Sequence, residues 1–185
     1  MDHPIWSYFF GPPKENKAMV ELLKALPVFD GVSNKELIQI ERGLHQRRYK
    51  KGETVFEEGM PGAGMYIIKE GEITIRKKAG EENDIELASI PQRSFFGEIA
   101  LLDDIPRSAS AVAACDSILL ALPQPYLEEL RDRNPKLAIK IITNIARLVS
   151  RRLVKANSNL EEMQQRIKPG SVSQADGELK HASAS

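Results

Sequence analysis

The sequence is poor in the residues that build disulfides and metal centres. Its 185 residues include one cysteine and three widely separated histidines. The single thiol, Cys115, forms no intramolecular disulfide and cannot ligate an iron–sulfur cluster, so we expect a small buried apolar side chain. Metal sites need clustered ligands. The composition therefore predicts neither a metal cofactor nor an enzyme that depends on one.

Long apolar runs and an excess of charge are also missing. No stretch reaches the roughly 20 apolar residues that span a bilayer, and the start of the chain lacks the features of a secretory signal. We therefore expect a cytoplasmic protein without membrane contact. Lysine plus arginine and aspartate plus glutamate both number 26. The whole chain thus has no net charge that attracts nucleic acid, although a local basic patch is compatible with this balance.

The amino-terminal part has the pattern of an arm followed by two helices. Ile5–Phe10 is aromatic and precedes Gly-Pro-Pro, which predicts an arm packed on the domain or on a partner subunit, with membrane contact as the alternative. Apolar spacing predicts a helix over Lys14–Leu26. Ser33–Glu36 has the pattern of a capping box and predicts a second helix from Asn34 to about His45.

Short apolar stretches separated by glycine dominate from Arg47 to Pro123. Their length and the turn residues between them predict β-strands. Many short strands with regular turn signals indicate an antiparallel roll or sandwich. The predicted strands cover residues 54–56, 65–68, 73–75, 85–87, 109–113 and 118–122.

Helical spacing returns at Gln124, and Asn134-Pro135 marks the start of a longer helix because proline favours the first helical position. This helix is predicted to run to Ile167, over about 33 residues or about 50 Å. Its apolar seam predicts a homodimer through the C-terminal helix; alternatively, its first half packs on its own domain and the rest frays. The seam consists of Ile142, Ile145, Val149, Leu153, Ala156, Leu160, Met163 and Ile167.

The most unusual stretch, FGEIALLDDIPRSAS, lies inside the strand region. Glu98–Leu102 has the pattern of one helical turn, whose first amides attract anions, and Gly97 permits close approach of the backbone. Arg107 can neutralise a phosphate with charge-assisted hydrogen bonds, and Ser108 adds a hydroxyl donor. Glu98 can accept a hydrogen bond from a sugar. This set suits a 3′,5′-cyclic nucleotide; the alternative is an ion pair between Glu98 and Arg107 that closes a turn.

Two segments of this stretch, Gly97–Leu101 and Pro106–Ala109, resemble the phosphate-binding cassette of cyclic nucleotide-binding domains. That family includes the catabolite activator protein, the regulatory subunits of cAMP-dependent kinase and nucleotide-gated channels. The glycine frame of Gly52–Gly59 and Met65–Ile73 is similar to theirs. The resemblance covers about Leu26–Lys155. It implies an α+β fold: an antiparallel, jelly-roll-like β-roll (a double-stranded β-helix) with N-terminal helices, a short cassette helix and a long C-terminal helix.

The resemblance also implies roles for the matching positions. Glu98 would hold the ribose 2′-hydroxyl, and Arg107 would hold the cyclic phosphate with help from Ser108 and backbone amides. Ala109 would pack under the ligand. The chain has Arg152 and Leu153 at the positions that contact adenine in the catabolite activator. Either Arg151 or Arg152 stacks over a purine there, or both are solvated residues on an exposed helix face. The predicted ligand-binding residues are Gly97, Glu98, Ile99, Ala100, Arg107, Ser108, Ala109 and Arg152.

These observations predict a sensor or adaptor that binds a cyclic nucleotide and signals to an unknown protein partner by moving its C-terminal helix. We expect cAMP ahead of cGMP as the ligand, although a hydroxyl residue such as Ser108 occurs in readers of both and leaves the base open. The alternative is a non-catalytic interaction module with an unused pocket. The polar tail after Ile167 is too short for a helix-turn-helix, so we expect no direct binding to nucleic acid. The predicted segments are an arm and helix (1–26), the nucleotide-binding roll (27–134), the lid or dimer helix (135–167) and a disordered tail (168–185).

Overall fold

The computed structural model describes residues 17–78 and 84–167. The predicted amino-terminal arm and the predicted tail at 168–185 lie outside the described residues. The chain divides into two units between Val149 and Ser150, and each is described by itself. The first unit contains the roll and most of the helices. No helix of the described ranges is long and apolar enough to cross a membrane.

The amino-terminal helices form because their apolar side chains share one face. Helix α1 (Lys17–Lys24) buries Met19, Val20 and Leu23. Helix α2 (Asn34–Glu41) begins at the predicted capping box, where the Glu36 amide donates to Ser33 Oγ over 3.4 Å and the Ser33 amide donates to the Glu36 carboxylate over 2.8 Å. The Glu36 carboxylate accepts hydrogen bonds from the Ser33 amide and, at 2.7 Å, from the Ser33 hydroxyl, and both lower the pKa of this carboxyl group. A 3₁₀ turn over Pro27–Phe29 connects the two helices.

The capping box gives a first prediction for stability. Ser33→Ala removes the acceptor for the Glu36 amide, so we expect a loss of about 1 kcal/mol in the free energy of unfolding, measured by urea denaturation. Lys35→Ala, an exposed substitution in the same helix, is the control and is expected to change that free energy by less than about 0.5 kcal/mol. Equal unfolding midpoints for the two variants would contradict the role of the box.

Helix α2 ends earlier than predicted. It stops at Glu41, and His45 begins a strand that the sequence analysis did not predict. A Cβ at Gly43 would lie 2.3 Å from Cε1 of Tyr126, so the chain after α2 packs tightly against that ring. This strand, β1 (His45–Tyr49), was not predicted because its side chains are mostly polar and exposed.

Within the described residues, eight antiparallel strands form two four-stranded sheets. The strands are β1 (His45–Tyr49), β2 (Thr54–Phe56), β3 (Gly64–Glu70), β4 (Glu72–Lys78), β5 (Asp84–Pro91), β6 (Phe95–Phe96), β7 (Ser110–Ala113) and β8 (Ser117–Pro123). Their orders in the two sheets are β1-β8-β3-β6 and β2-β7-β4-β5. This confirms the predicted α+β fold with an antiparallel roll. The strand β6 was not predicted, because two residues are too few to show a pattern.

Two apolar cores lie on opposite faces of the first sheet. Successive residues of a strand point to opposite faces, so Ile67 packs with the helices while Ile68 packs between the sheets. In the same way Leu120 joins the helical core and Leu119 the core between the sheets. This double burial explains why β3 and β8 have continuous apolar runs instead of alternation.

The cysteine prediction is wrong. Cys115 is exposed. The apolar run of β7 ends at Ala113, and the backbone then bends through residues 114–116 before β8 begins. The thiol therefore lies on the connection between two strands and outside both cores.

The carboxyl-terminal helices follow the strands directly. Helix α3 covers Gln124–Arg133, and helix α4 covers Pro135–Ile167, the range predicted for the long helix. Within the first unit α4 buries Leu137, Ala138, Ile141 and Ile145. Ile145, which was predicted for the intermolecular seam, therefore belongs to the core of its own domain.

Polar contacts also hold the first part of α4 against the amino-terminal helices. The Asn144 side-chain amide donates to the carbonyls of Val28 and Asp30 over 3.2 and 2.9 Å. Lys140 Nζ lies 3.0 Å from the Glu36 carboxylate. In the second unit, the helix exposes four large apolar side chains: Leu153, Val154, Leu160 and Met163. The predicted homodimer through this helix stays a prediction.

Candidate functional site

The predicted cassette helix is present as a 3₁₀ helix over Glu98–Leu101. It follows β6 through Gly97, whose φ of +74° lies in the left-handed region that favours glycine. The side chains of Glu98, Ala100 and Leu101 are buried, whereas Ile99 is 39% exposed. The turn therefore places an acidic side chain inside the fold and an apolar one at its surface.

Arg107 is the centre of the site. Its side chain is only 8% exposed. Its Nη1 donates to the Gly97 carbonyl over 3.0 Å and its Nη2 to the Gly64 carbonyl over 2.7 Å. The guanidinium carbon lies 4.1 Å from the centroid of the Phe56 ring. The guanidinium is thus turned into the fold, against the start of the cassette helix.

The electrostatics of this arginine favour an anion beside it. Burial lowers the pKa of the Arg107 guanidinium, and the nearby Tyr66 and Glu98 groups raise it. The net shift is downward, but an arginine side chain stays charged in proteins because a guanidinium loses its proton only in strongly alkaline solution. Among the residues that the structure describes, its Nε is buried without a hydrogen-bond partner. A buried cation with a donor still available is suited to a small anion.

Backbone pairing fixes where Arg107 lies. The Arg107 amide donates to the Met60 carbonyl, and the Gly59 amide donates to the Arg107 carbonyl. The donor–acceptor distance is 2.8 Å in both hydrogen bonds. Gly64 supplies the second carbonyl to the guanidinium at the point where β3 meets β8. A Cβ at Gly64 would lie 2.2 Å from the Leu122 carbonyl oxygen, so only glycine allows this close pairing. Gly64, which directly precedes the Met65–Ile73 segment of the glycine frame, thus allows the strand pairing that brings its carbonyl to the guanidinium.

The structure brings together most of the predicted site residues. The cassette turn from Gly97 to Ala100 and the Arg107 guanidinium are in contact through the hydrogen bond to Gly97. Ser108 is exposed directly after the arginine, and Ala109 is buried before β7. Arg152 lies in the second unit, and its role toward a base stays a prediction. No group of three or more His, Cys, Asp or Glu side chains suited to a metal ion occurs in residues 17–78 and 84–167.

An aromatic cluster beside the guanidinium was not predicted from the sequence. Phe56, Tyr66 and Phe96 lie with ring centroids 5.4–5.9 Å apart. Phe56 and Tyr66 both occur within the glycine frame that was identified, but only its glycines were interpreted. An aromatic residue in each half of that frame was the signal that could have indicated the cluster.

The fold and the site together define an antiparallel β-roll domain with a buried arginine against a short helix. Residues 46–134 match the family model described as "Cyclic nucleotide-binding domain". This match confirms the family resemblance that the cassette residues predicted.

Known relatives are similar across most of the chain. This chain is 27% identical over 154 residues to the "CRP-like cAMP-activated global transcriptional regulator" of Mycobacterium tuberculosis. The alignment covers 83% of this chain and 67% of the relative. The chain is 34% identical over 140 residues to the "Cyclic AMP receptor protein" of Thermus thermophilus, with 75% and 62% covered. The crystal structure of Thermus thermophilus catabolite activator protein superposes with a TM-score of 0.67 at 31% identity, with 75% and 63% covered. The chain thus spans about two thirds of the length of these regulators.

Proposed function

We propose that this chain binds a 3′,5′-cyclic nucleotide at the cassette, cAMP in preference to cGMP, and acts as a non-catalytic sensor. The observation that carries the proposal is the buried Arg107 guanidinium, hydrogen-bonded to the Gly97 carbonyl at the start of the cassette helix. A cyclic nucleotide carries one negative charge, which matches one buried cation. The preference for cAMP is supported by the two similar regulators above, both of which are named for cyclic AMP.

Each cassette residue then has a binding role. Arg107 holds the cyclic phosphate through charge-assisted hydrogen bonds, and the exposed Ser108 hydroxyl adds a donor. The buried Glu98 carboxylate accepts a hydrogen bond from the ribose 2′-hydroxyl. Ala109 packs under the ligand. Ile99, exposed on the cassette helix, offers an apolar contact at the edge of the site.

The signal is proposed to pass through the helices. Asn144 and Lys140 hold the first part of α4 on the segment from Val28 to Glu36, so a change in the roll can shift α4 only if it alters this packing. A ligand moves such an equilibrium only by its difference in affinity for the two arrangements. The exposed apolar residues of the second unit, Leu153 and Leu160 among them, fit a proposed contact with a second copy or with a partner protein.

Calorimetric titration with cAMP, cGMP and 5′-AMP tests this proposal. We expect saturable binding of both cyclic nucleotides, tighter for cAMP, and much weaker binding of 5′-AMP because its dianionic phosphate lacks the ring. The ligand-bound protein should also melt at a higher temperature, since a ligand that binds only the folded state stabilises it. If neither cyclic nucleotide binds at millimolar concentration, the proposal is wrong and the interaction module with an unused pocket is favoured. Tighter binding of cGMP would overturn the base preference alone.

A further inference from the structure

We infer that Phe56 is a positioning residue, whose ring fixes the plane of the Arg107 guanidinium before a ligand arrives. Its consequence for affinity rests on the proposed function of this site. The guanidinium carbon lies 4.1 Å from the Phe56 ring centroid, whereas its distance from the Tyr66 ring centroid is 6.0 Å. The two Nη hydrogen bonds hold one edge of the guanidinium group, and the Phe56 ring supports its face.

The Phe56 ring is itself held by the two sheets. Phe56 lies on β2 of the second sheet, while its aromatic neighbours lie on β3 and β6 of the first. Its ring centroid lies 5.9 Å from that of Tyr66 and 5.8 Å from that of Phe96. The supporting ring therefore occupies a fixed place between the sheets.

The physical effect of this arrangement is preorganisation. A cation is attracted to the face of an aromatic ring, and the attraction is stronger where water is excluded. A guanidinium already held in one plane loses less conformational freedom when it binds a phosphate, so the binding constant rises. Leucine at position 56 would keep the apolar packing but would lack the π face. Comparing leucine with phenylalanine at position 56 therefore separates the effect of the aromatic face on Arg107 from the effect of apolar packing.

The arrangement can be tested without any ligand. The Nε–H resonance of Arg107 in a ¹H–¹⁵N spectrum, assigned by its loss in Arg107→Lys, should be shifted upfield by the ring current of Phe56. We expect Phe56→Leu to move this resonance downfield and Phe56→Tyr to keep it near its original position. Phe96→Leu, the same change in a neighbouring ring, should leave the upfield shift in place. An unchanged resonance in Phe56→Leu would overturn the inference.

Affinity provides the second test. We expect Phe56→Leu to bind cAMP about tenfold more weakly, since a desolvated cation–π contact accounts for about that factor. Phe56→Tyr should bind within about twofold of the wild type, and Phe96→Leu should lose thermal stability but retain most of its affinity. Site-specific replacement of Phe56 by pentafluorophenylalanine keeps the shape of the ring but removes its negative face. The fluorinated variant should therefore bind cAMP more weakly. It tests the inference also in the case that the leucine variant does not fold.

The outcomes separate this inference from the proposed function. If the wild type binds no cyclic nucleotide, the proposed function fails, and the ligand-free spectrum still decides the position of Arg107. If the wild type binds and the fluorinated ring binds equally well, or if Phe96→Leu weakens binding as much as Phe56→Leu does, the inference is wrong while the proposed function stands.

Discussion

Replacing Arg107 by glutamine is expected to weaken the binding of cAMP by at least about a hundredfold. A hydrogen bond to a charged group is worth about 1.5–3 kcal/mol, and two such bonds to one phosphate correspond to a factor of about a hundred or more. The site is buried, so water compensates little for the loss. Calorimetric titration of the folded variant with cAMP measures this change.

The Arg107 experiment needs a control for charge and one for folding. Arg48→Gln removes an exposed arginine from β1, and it should bind cAMP as the wild type does. Arg107→Gln also removes the two donors to the Gly64 and Gly97 carbonyls, so the melting temperature of the ligand-free variant has to be compared with that of Arg107→Lys. Should the folded glutamine variant bind cAMP within tenfold of the wild type, another group holds the phosphate.

The sequence predicted those parts of the fold that local patterns determine. The capping box at Ser33 and the proline at the start of α4 each identify a helix end from a few neighbouring residues. The apolar runs around Ile67 and Leu120 identified β3 and β8, because both faces of these strands are buried. By contrast, β1 is stabilised by pairing with β8, through contacts such as Arg47 with Leu119. Such pairing leaves no apolar pattern in the strand itself.

The candidate site also has a part that local sequence predicts and a part that depends on contacts between distant residues. Gly97 and the cassette helix lie within a few residues of each other, and their conformation could be predicted from one short motif. The contact between Arg107 and Phe56 joins residues that are distant in the chain and depends on how two sheets pack. For Cys115 the local pattern was misleading. Its apolar neighbours indicated burial, but a bend after Ala113 exposes it.

Gly97→Ala is expected to weaken cAMP binding by about thirtyfold while the protein remains folded. A Cβ at this position would lie 2.7 Å from Nη1 of Arg107. The guanidinium is the end of a long side chain, so it can move away at little cost in stability, but it then loses the place from which it would bind the phosphate. Loss of about one charge-assisted hydrogen bond corresponds to this factor. Titration with cAMP and urea denaturation of the same sample measure both quantities.

The matched control for Gly97→Ala is Gly31→Ala. Gly31 has a φ of +72°, close to the +74° of Gly97, and a Cβ there would meet nothing within 4 Å. Both variants therefore place alanine in a left-handed conformation at a cost of about 1 kcal/mol, and only one of them displaces the guanidinium. We expect similar losses in the free energy of unfolding and a loss of affinity in Gly97→Ala alone. Equal affinities in the two variants would mean that phosphate binding does not depend on the contact between Gly97 and Arg107.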